Sequence, residues 1–237
     1  MRIAAMEIIR HLGRQGIPTW VQTRGILSSE EKAAFVQCGE KVSLIVPVST
    51  LDADCARLYE CLAPAPEARL SQVRTMLQLG VEVQVEFGPL IPGVNDSGKS
   101  IQFALEKIAR AGVKSISIHC LALPPEELAD EIARRKGRGL QDLKPWSQGV
   151  TRPVSGFGKM RMLSTGMRGR IMGKAMLLAR KVGLQAKVNG ILNPDFLVGE
   201  SGEPPVDCSS LKERFLAMVA SEKSKSGFHG GMHRPLV

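Results

Sequence analysis

The chain has 237 residues, of which 43% are hydrophobic and 23% are charged, as expected of a globular protein rather than a disordered one. No stretch reaches the roughly 18 apolar residues of a membrane span, and the first residues do not have the pattern of a signal peptide. We therefore expect a cytoplasmic protein with five reduced cysteines and no membrane partner. The net charge of +9 favours a partner that carries negative charge.

The positive charge is concentrated in one segment. Between Arg134 and Lys187 there are fourteen Lys or Arg residues and one acidic residue, Asp142. This segment could hold a nucleic-acid backbone, with Trp146 or Phe157 stacking on a base, or it could be an ordinary solvated basic face. The candidate nucleic-acid-binding residues are Arg152, Lys159, Arg161, Arg168 and Arg170.

Hydrophobic periodicity and turn residues predict alternating helices and strands over the first 136 residues. Strand and helix alternation of this kind predicts an α/β fold with a parallel sheet or barrel. The predicted helices cover residues 2–15, 28–38, 67–79, 99–111 and 126–136, with a further short helix after Asp52. The predicted strands cover residues 17–23, 42–49, 81–87 and 113–123, and the first of them is expected to be an exposed edge.

The composition changes after Gly137. Residues 137–163 are rich in Gly, Pro and basic side chains and are predicted to be irregular, followed by a basic helix over 164–182 and a last strand over 184–192. Residues 193–237 are polar, with one short helix predicted near 209–221. The predicted organisation is therefore a partial (βα) barrel core (1–136), a basic appendage (137–192) and a largely disordered tail (193–237).

Candidate ligand-binding residues follow the predicted strands, because parallel βα folds bind ligands at the carboxyl ends of their strands. The most specific of these segments is the loop GPLIPGVND, in which Gly88 and Gly93 permit close backbone approaches that a Cβ would block. Such a loop could offer backbone groups to a flat ligand such as adenine. It could equally be an ordinary turn in which Asn95 or Asp96 caps the next helix.

The series IPTWVQTRG, VPVSTLD and CLAPAPEARLSQVRTMLQLGVEVQVEFGPLIPGVND resembles the radical SAM superfamily, and within it the branch related to spore photoproduct lyase. The resemblance covers about residues 1–190. It implies a partial TIM barrel of radical SAM type that lacks its first strands, with S-adenosylmethionine and a [4Fe–4S] cluster as cofactors. The implied reaction is reductive cleavage of S-adenosylmethionine to a deoxyadenosyl radical.

The resemblance also implies roles for the strand-end residues. Thr23 and Arg24 would lie near the methionine end of the cofactor, Ser49 near the ribose, and the loop around Ile91 near adenine. The implied cofactor-binding residues are Thr23, Arg24, Ser49, Gly88, Ile91, Gly93, Asn95 and His119. Cys120 is a candidate hydrogen donor that quenches a substrate radical, although a buried structural cysteine is the commoner interpretation of a strand cysteine.

The sequence departs from the family in three respects. The cluster-binding spacing C-x3-C-x2-C does not occur, and Cys55 and Cys61, which are spaced C-x5-C, are predicted beside the barrel. Arg24 stands where the branch usually has lysine, and Pro47 stands where it usually has serine. The metal-ligand prediction for this chain is therefore none, and we expect no cluster on it alone.

Two hypotheses remain open from the sequence. In the first, the chain is the C-terminal portion of a radical SAM enzyme, and the cluster-binding part was lost through truncation or a shifted start or comes from a separate chain. The substrate would be nucleic acid or another anionic molecule. In the second, it is a non-catalytic partial barrel that binds nucleic acid or a protein through its basic half. His229 and His233, in a Gly-rich tail, could bind metal adventitiously.

Overall fold

The computed structural model describes residues 2–125, 144–154, 156–193 and 196. The elements, in chain order, are α1 (Arg2–Arg14), β1 (Thr19–Gln22), α2 (Ser29–Cys38), a 3-10 turn (Gly39–Lys41), β2 (Val42–Val48), α3 (Ala53–Tyr59), α4 (Pro66–Gln78), β3 (Val83–Leu90), α5 (Gly98–Arg110), β4 (Ser115–Cys120), β5 (Ala122–Leu123), α6 (Lys144–Ser147), β6 (Val150–Val154), β7 (Gly158–Met162), α7 (Thr165–Lys181) and β8 (Gln185–Val188). The helices predicted at 126–136 and near 209–221 lie outside the described residues.

The main sheet has five parallel strands in the order β1-β2-β3-β4-β8. Consecutive parallel strands require crossover connections, and the helices predicted from sequence supply them. The α/β fold class is therefore confirmed. In the sheet as described, β1 pairs only with β2, so the predicted edge strand is also found.

Successive side chains of each strand in the main sheet point to opposite sides, so one face of the sheet is apolar and the other is more polar, although β2 contributes Ile45 and Pro47 to that second face. On the apolar face, Leu44, Val85 and Ile116 are fully buried in a core with helix residues such as Phe35 and Leu70. The opposite face carries mostly polar side chains. Those of its central strands alternate with the core positions and include Ser43, Gln84, Glu86, Ser117 and His119.

Local signals account for the helix boundaries. Ser28 and Glu31 form a reciprocal capping box at the start of α2, with Ser28 N–H donating to the Glu31 carboxylate at 2.7 Å. Asp52 caps α3 by accepting from two backbone N–H groups, as the sequence predicts. The loops that follow β1 and β2 end at these caps, and both lie at the carboxyl edge of the sheet because the two strands are parallel.

A second, three-stranded antiparallel sheet with the order β5-β7-β6 follows the end of β4. It contains the hairpin of β6 and β7, so the prediction that residues 137–163 are irregular is wrong for this part of the chain. Leu121 N–H donates to Leu90 O at 3.1 Å, and Trp146 Nε1 donates to Leu121 O at 3.2 Å. These bonds attach the second sheet to the carboxyl edge of the main sheet.

None of the helices in the described part of the chain is long and apolar enough to cross a membrane.

Candidate functional site at the carboxyl edge of the sheet

The turn after β1 presents Arg24 at the carboxyl edge. Thr23 N–H donates to Ile45 O at 3.1 Å, which continues the pairing with β2 by one residue. Thr23 Oγ1 accepts from Gly25 N–H at 2.9 Å and closes a tight turn around Arg24. Thr23 is half-buried and Arg24 is exposed, so the hydroxyl serves the turn and the guanidinium is accessible to a ligand.

The loop after β3 is held by one buried side chain, Asn95, which is 4% exposed. Its Oδ1 accepts from Ile91 N–H at 2.7 Å, and its Nδ2 donates to Ser49 O at 2.8 Å and to Pro89 O at 3.0 Å. Asn95 therefore ties the loop to the end of β2. The predicted cofactor residue Asn95 acts here as a loop anchor, since its amide groups are bound within the protein.

The same loop contains Gly93 in a left-handed conformation (φ 74°), with its N–H donating to Asp96 Oδ1 at 2.8 Å. The next helix, α5, is capped by Ser97, whose Oγ accepts from Ser100 N–H at 3.1 Å. The interpretation in which Asn95 or Asp96 caps this helix is therefore wrong. Both side chains instead shape the loop, which leaves Ile91 half-buried and Gly93 exposed.

Gly88 makes a close approach that only glycine permits. A Cβ on Gly88 would lie 2.7 Å from His119 O and 2.8 Å from His119 Nδ1. From sequence, this glycine was predicted to let a ligand approach the backbone, whereas its nearest neighbour is His119 at the end of β4. The Gly88–Pro89 peptide bond is cis.

His119 and Glu86 form a buried polar pair beneath the strand-end loops. His119 Nδ1 lies 3.5 Å from Glu86 Oε1 and makes no hydrogen bond with the described residues. Burial lowers the pKa of His119 to about 4, and the positive charge of Arg24 acts in the same direction. Burial raises the pKa of Glu86, opposed by hydrogen bonds and by Arg24. At neutral pH the site therefore contains a neutral imidazole beside an exposed cation.

Glu86 and the two side chains that donate hydrogen bonds to it are functional-site residues that were not predicted from sequence. Gln22 Nε2 donates to Glu86 Oε2, and Asn189 Nδ2 donates to Glu86 Oε1 at 2.7 Å. The available signal was the strict alternation of β3, which places Gln84 and Glu86 on one face of a strand whose other face is apolar. No local pattern indicated that residues 22, 86 and 189 meet.

A second buried charge fixes the end of β2. Arg69 on α4 is fully buried, pairs with the carboxylate of Glu60 and donates from Nη1 to Pro47 O at 2.6 Å. The side chain of Glu60 is 5% exposed. Arg69 thus holds the end of β2 at Pro47 and, with it, the backbone that leads to Ser49.

Cys120 is not brought together with the other site residues. It is 3% exposed and belongs to the apolar core, on the side of β4 opposite His119. Burial raises the pKa of its thiol to about 12, so the group is a neutral thiol at physiological pH. Its environment is that of a structural core cysteine.

The described residues do not fit an iron–sulfur cluster. Cys38 lies on α2, Cys55 on α3, Cys61 shortly after α3, and Cys120 in the core. Within the described ranges no three His, Cys, Asp or Glu side chains are grouped so that they could hold a metal ion. Cys208, His229 and His233 lie outside the described residues.

The predicted nucleic-acid-binding residues differ in how far they are exposed to solvent. Arg152, Lys159 and Arg170 are exposed. Arg161 is half-buried, and its Nε donates to Trp146 O at 2.7 Å. Arg161 is therefore partly committed to anchoring the second sheet.

Arg168 is buried, with 1% of its surface exposed, and it cannot contact a nucleic-acid backbone in this structure. Its Nε donates to Leu163 O at 3.0 Å and its Nη1 to Asn193 Oδ1 at 2.9 Å, and the ring of Phe196 lies 5.2 Å from its guanidinium carbon. The assignment of Arg168 to a binding surface is corrected to a structural role.

The two candidate stacking residues also differ. Trp146 is 2% exposed and packs in the core, so it is not available to stack on a base. Phe157 is 61% exposed and lies in the turn between β6 and β7. Of the two aromatic residues, only Phe157 is accessible on the hairpin.

Comparison with curated proteins finds relatives without an assigned function. Uncharacterized proteins of Mycobacterium bovis and of Mycobacterium tuberculosis are each 29% identical over 118 residues, which is 49% of this chain and 35% of theirs. A third uncharacterized relative, from the Acidianus two-tailed virus, is 27% identical over 104 residues, 43% of this chain and 35% of that protein. The matched stretches thus span about a third of these relatives' length. No protein-family model matches the sequence.

Comparison with solved structures finds radical SAM enzymes. A domain of the pyruvate-formate lyase-activating enzyme from Bacteroides vulgatus superposes with a TM-score of 0.51 at 19% identity, over 78% of this chain and 89% of that one. Spore photoproduct lyase superposes with a TM-score of 0.59 at 10% identity, over 78% of this chain and 54% of that one. The described sheet and helices therefore have a radical-SAM-like fold, that of a partial βα barrel.

Proposed function

We propose that this chain provides the S-adenosylmethionine-binding part of a radical SAM enzyme. The cofactor would bind at the carboxyl edge of the main sheet. One of the spore photoproduct lyase structures with this fold contains bound AdoMet, which supports the same ligand here. The observation that carries the proposal is the Asn95-anchored loop beside an exposed arginine, Arg24, at the strand ends.

The strand-end groups suit the two ends of S-adenosylmethionine. Arg24 would bind the methionine carboxylate, because a guanidinium pairs with a carboxylate through two parallel hydrogen bonds. The backbone around Ile91 and Gly93 would lie against adenine, since Asn95 keeps this loop in one conformation. Neutral His119 adds no positive charge to a site that must also accept a sulfonium cation.

When bound and reduced, S-adenosylmethionine supplies the deoxyadenosyl radical that takes a hydrogen atom from the substrate in radical SAM enzymes. The described residues do not fit a [4Fe–4S] cluster, so cysteines outside these residues would have to supply it. We infer that they come from a separate chain or from a longer form of the protein. On this proposal the 237-residue chain binds the cofactor and orients it without cleaving it.

The test is ligand binding to the full 237-residue chain, measured by saturation-transfer difference NMR with S-adenosylmethionine and with 5′-deoxyadenosine. We expect both ligands to bind. Arg24→Ala should weaken S-adenosylmethionine about tenfold and leave 5′-deoxyadenosine unchanged, because only the former has a carboxylate. Arg24→Lys should restore part of the loss.

Two glycines provide a matched pair of variants for the loop. Gly88→Ala introduces a Cβ within 3 Å of His119 and should abolish binding of both ligands. Gly98→Ala places a Cβ in open space at the start of α5 and should leave both affinities unchanged. If neither ligand binds to the unmodified chain, the proposal fails, and the non-catalytic interpretation is favoured.

A second candidate function is binding of nucleic acid through the β6–β7 hairpin. The observation that favours it is the exposed ring of Phe157 at the turn, flanked along the strands by the exposed side chains of Arg152 and Lys159. Cations beside an accessible aromatic ring suit a phosphate backbone with a stackable base. The hairpin follows the strand-end edge, so a bound strand would lie beside the proposed cofactor site.

Fluorescence polarisation with a labelled single-stranded oligonucleotide tests this second function. The double variant Arg152→Gln/Lys159→Gln should reduce the slope of log affinity against log salt by about 1.4, or about 0.7 for each phosphate that the protein no longer neutralises. Arg180→Gln, an exposed cation in the last turn of α7, is the matched control. An equal change in the control would indicate non-specific attraction to a basic protein.

A further inference from the structure

A buried carboxylate joins the two edges of the main sheet to its middle strand. Gln22 ends β1, Asn189 follows β8, and both donate to Glu86 on β3, which is 6% exposed. In a flat sheet the edge strands lie about 9.6 Å from the middle one, at about 4.8 Å per strand. Hydrogen bonds from both edges to one carboxylate therefore mean that the polar face is concave at the level of Glu86.

The chain of hydrogen bonds continues from Glu86 towards the second sheet. Asn193 Nδ2 donates to Asn189 O at 3.0 Å, and Asn193 Oδ1 accepts from Arg168 Nη1 at 2.9 Å. Arg168 in turn donates to Leu163 O, directly after β7. Asn193 and Arg168 are each 1% exposed. One chain of polar contacts, buried at Glu86, Asn193 and Arg168, thus runs from the exposed Gln22 at the end of β1 to the junction of β7 and α7.

The orientation of Asn189 within this chain is fixed. Its Oδ1 accepts from Leu192 N–H at 3.1 Å, so its amide nitrogen must point to Glu86. Gln22 makes no other side-chain hydrogen bond with the described residues, and it can rotate its amide. The hydrogen bond between Asn189 and Glu86 therefore has a fixed direction: Asn189 must donate, and a carboxyl oxygen of Glu86 must accept.

Burying the carboxyl group of Glu86 is unfavourable compared with an apolar contact at the same place. An apolar contact would hold the same elements together without fixing their relative position. Hydrogen bonds between specified atoms fix direction as well as distance. The Arg24 turn starts directly after Gln22, and the β6–β7 hairpin ends at the residue before Leu163, so both functional segments adjoin the ends of the chain of hydrogen bonds.

We propose that Glu86 and Arg168 are positioning residues. They hold the Arg24 turn and the β6–β7 hairpin in one geometry relative to the loop of residues 88–96, called the Gly88 loop below. The proposal rests on the proposed function, because the site being positioned is the proposed S-adenosylmethionine site. S-adenosylmethionine reaches both the Arg24 turn and the Gly88 loop, whereas 5′-deoxyadenosine reaches only the loop. A change in the relative position of these segments therefore weakens the larger ligand alone.

The test exchanges the donor and the acceptor of the hydrogen bond between Asn189 and Glu86. Asn189→Asp places two carboxylates against each other, and Glu86→Gln/Asn189→Asp restores one donor and one acceptor. We expect Asn189→Asp to weaken S-adenosylmethionine at least about tenfold and the double variant to return to within about threefold. Affinity for 5′-deoxyadenosine should be unchanged in both. Glu82→Gln is the control, since Glu82 directly precedes the same strand but accepts a hydrogen bond from Ser43 Oγ instead.

Two results would overturn the proposal: a double variant as weak as Asn189→Asp, or a parallel loss of both ligands, which a merely structural defect would give. A measurement without ligand distinguishes failure of this positioning proposal from failure of the proposed function. Amide hydrogen exchange in Asn189→Asp should increase about tenfold or more at residues 22–25 and 163–168 and return to normal in the double variant. Faster exchange confined to residues 186–193 would contradict the proposal even if S-adenosylmethionine binds no variant.

Discussion

The main sheet and the β6–β7 hairpin use charged residues in opposite ways. On the main sheet Glu86 is buried and accepts hydrogen bonds from two other strand ends, while Arg69 and Glu60 form a buried ion pair beneath β2. On the hairpin Arg152 and Lys159 lie at the surface. The charges of the first region define where its backbone lies, whereas those of the second are accessible to another molecule. A basic composition therefore does not by itself identify which cations can bind a ligand.

The largest effect expected from this difference is at Arg69. Arg69→Ala leaves Glu60 as an unpaired buried carboxylate and removes the donor to Pro47 O, and it should lower the free energy of unfolding by about 3–5 kcal/mol. Arg57→Ala, which breaks an exposed pair with Asp54, should change it by less than about 0.5 kcal/mol. Urea unfolding followed by circular dichroism measures both. Equal losses would remove the distinction between buried and exposed charges.

The second effect is a pH dependence caused by His119. Its pKa is about 4 in the folded protein and about 6.5 in the unfolded chain, so the unfolded state binds the proton first as the pH falls. The stability due to this group is complete above pH 6.5 and should fall by about 3 kcal/mol between pH 6.5 and 4. Glu86 acts with the opposite sign, because its pKa is raised.

The variant His119→Gln isolates the imidazole. The difference in unfolding free energy between the unmodified protein and His119→Gln should change by about 3 kcal/mol across this pH range, measured by urea unfolding at several pH values. A difference that does not vary with pH would show that the imidazole is not buried in its neutral form.

The third effect compares two neighbouring arginines on α7. Arg168→Met removes the hydrogen bonds that Arg168 donates to Asn193 Oδ1 and Leu163 O and should lower the free energy of unfolding by about 2 kcal/mol. Arg170→Gln, at an exposed position, should change it by less than about 0.5 kcal/mol and should reduce oligonucleotide affinity instead. If Arg168→Met were as stable as the unmodified protein but did not bind the oligonucleotide, the sequence-based prediction of Arg168 as a nucleic-acid-binding residue would be correct.

The smallest effect on stability is expected at Phe157. Because its side chain is 61% exposed, Phe157→Ser should leave the melting temperature nearly unchanged. The same substitution should weaken binding of a single-stranded oligonucleotide by about 1–3 kcal/mol if the ring stacks on a base. Polarisation titrations at one fixed salt concentration measure this change, with Phe157→Tyr as the conservative control. An unchanged affinity in Phe157→Ser would exclude base stacking by the hairpin.

The elements of the main sheet were predictable because their signals are local. Capping residues such as Ser28 and Asp52, and an apolar run such as residues 42–48, act over a few positions. The hairpin was missed because Pro153 and two glycines suggested irregular structure. These residues instead lie where β6 forms its exposed edge and where the turn has positive φ values.

The site was only partly predictable, because its polar contacts join residues far apart in sequence. The strand-end position of Arg24 and of the Gly88 loop followed from the order of strands alone. The meeting of Gln22, Glu86 and Asn189 depends on the curvature of the sheet, which no local pattern encodes. Arg168 was misassigned because a lysine- and arginine-rich helix does not reveal from sequence which cation faces the core.

The two tryptophans of the chain differ in solvent access in a way that makes the protein its own reporter. Trp20, on the edge strand β1, is 65% exposed, whereas Trp146, beside the second sheet, is 2% exposed. Iodide should quench the emission of the first and spare the blue-shifted emission of the second. A single tryptophan-to-phenylalanine exchange at either position would then give a spectroscopic signal for one sheet alone, so that loosening of the strand-end edge and detachment of the hairpin can be followed separately in the same chain.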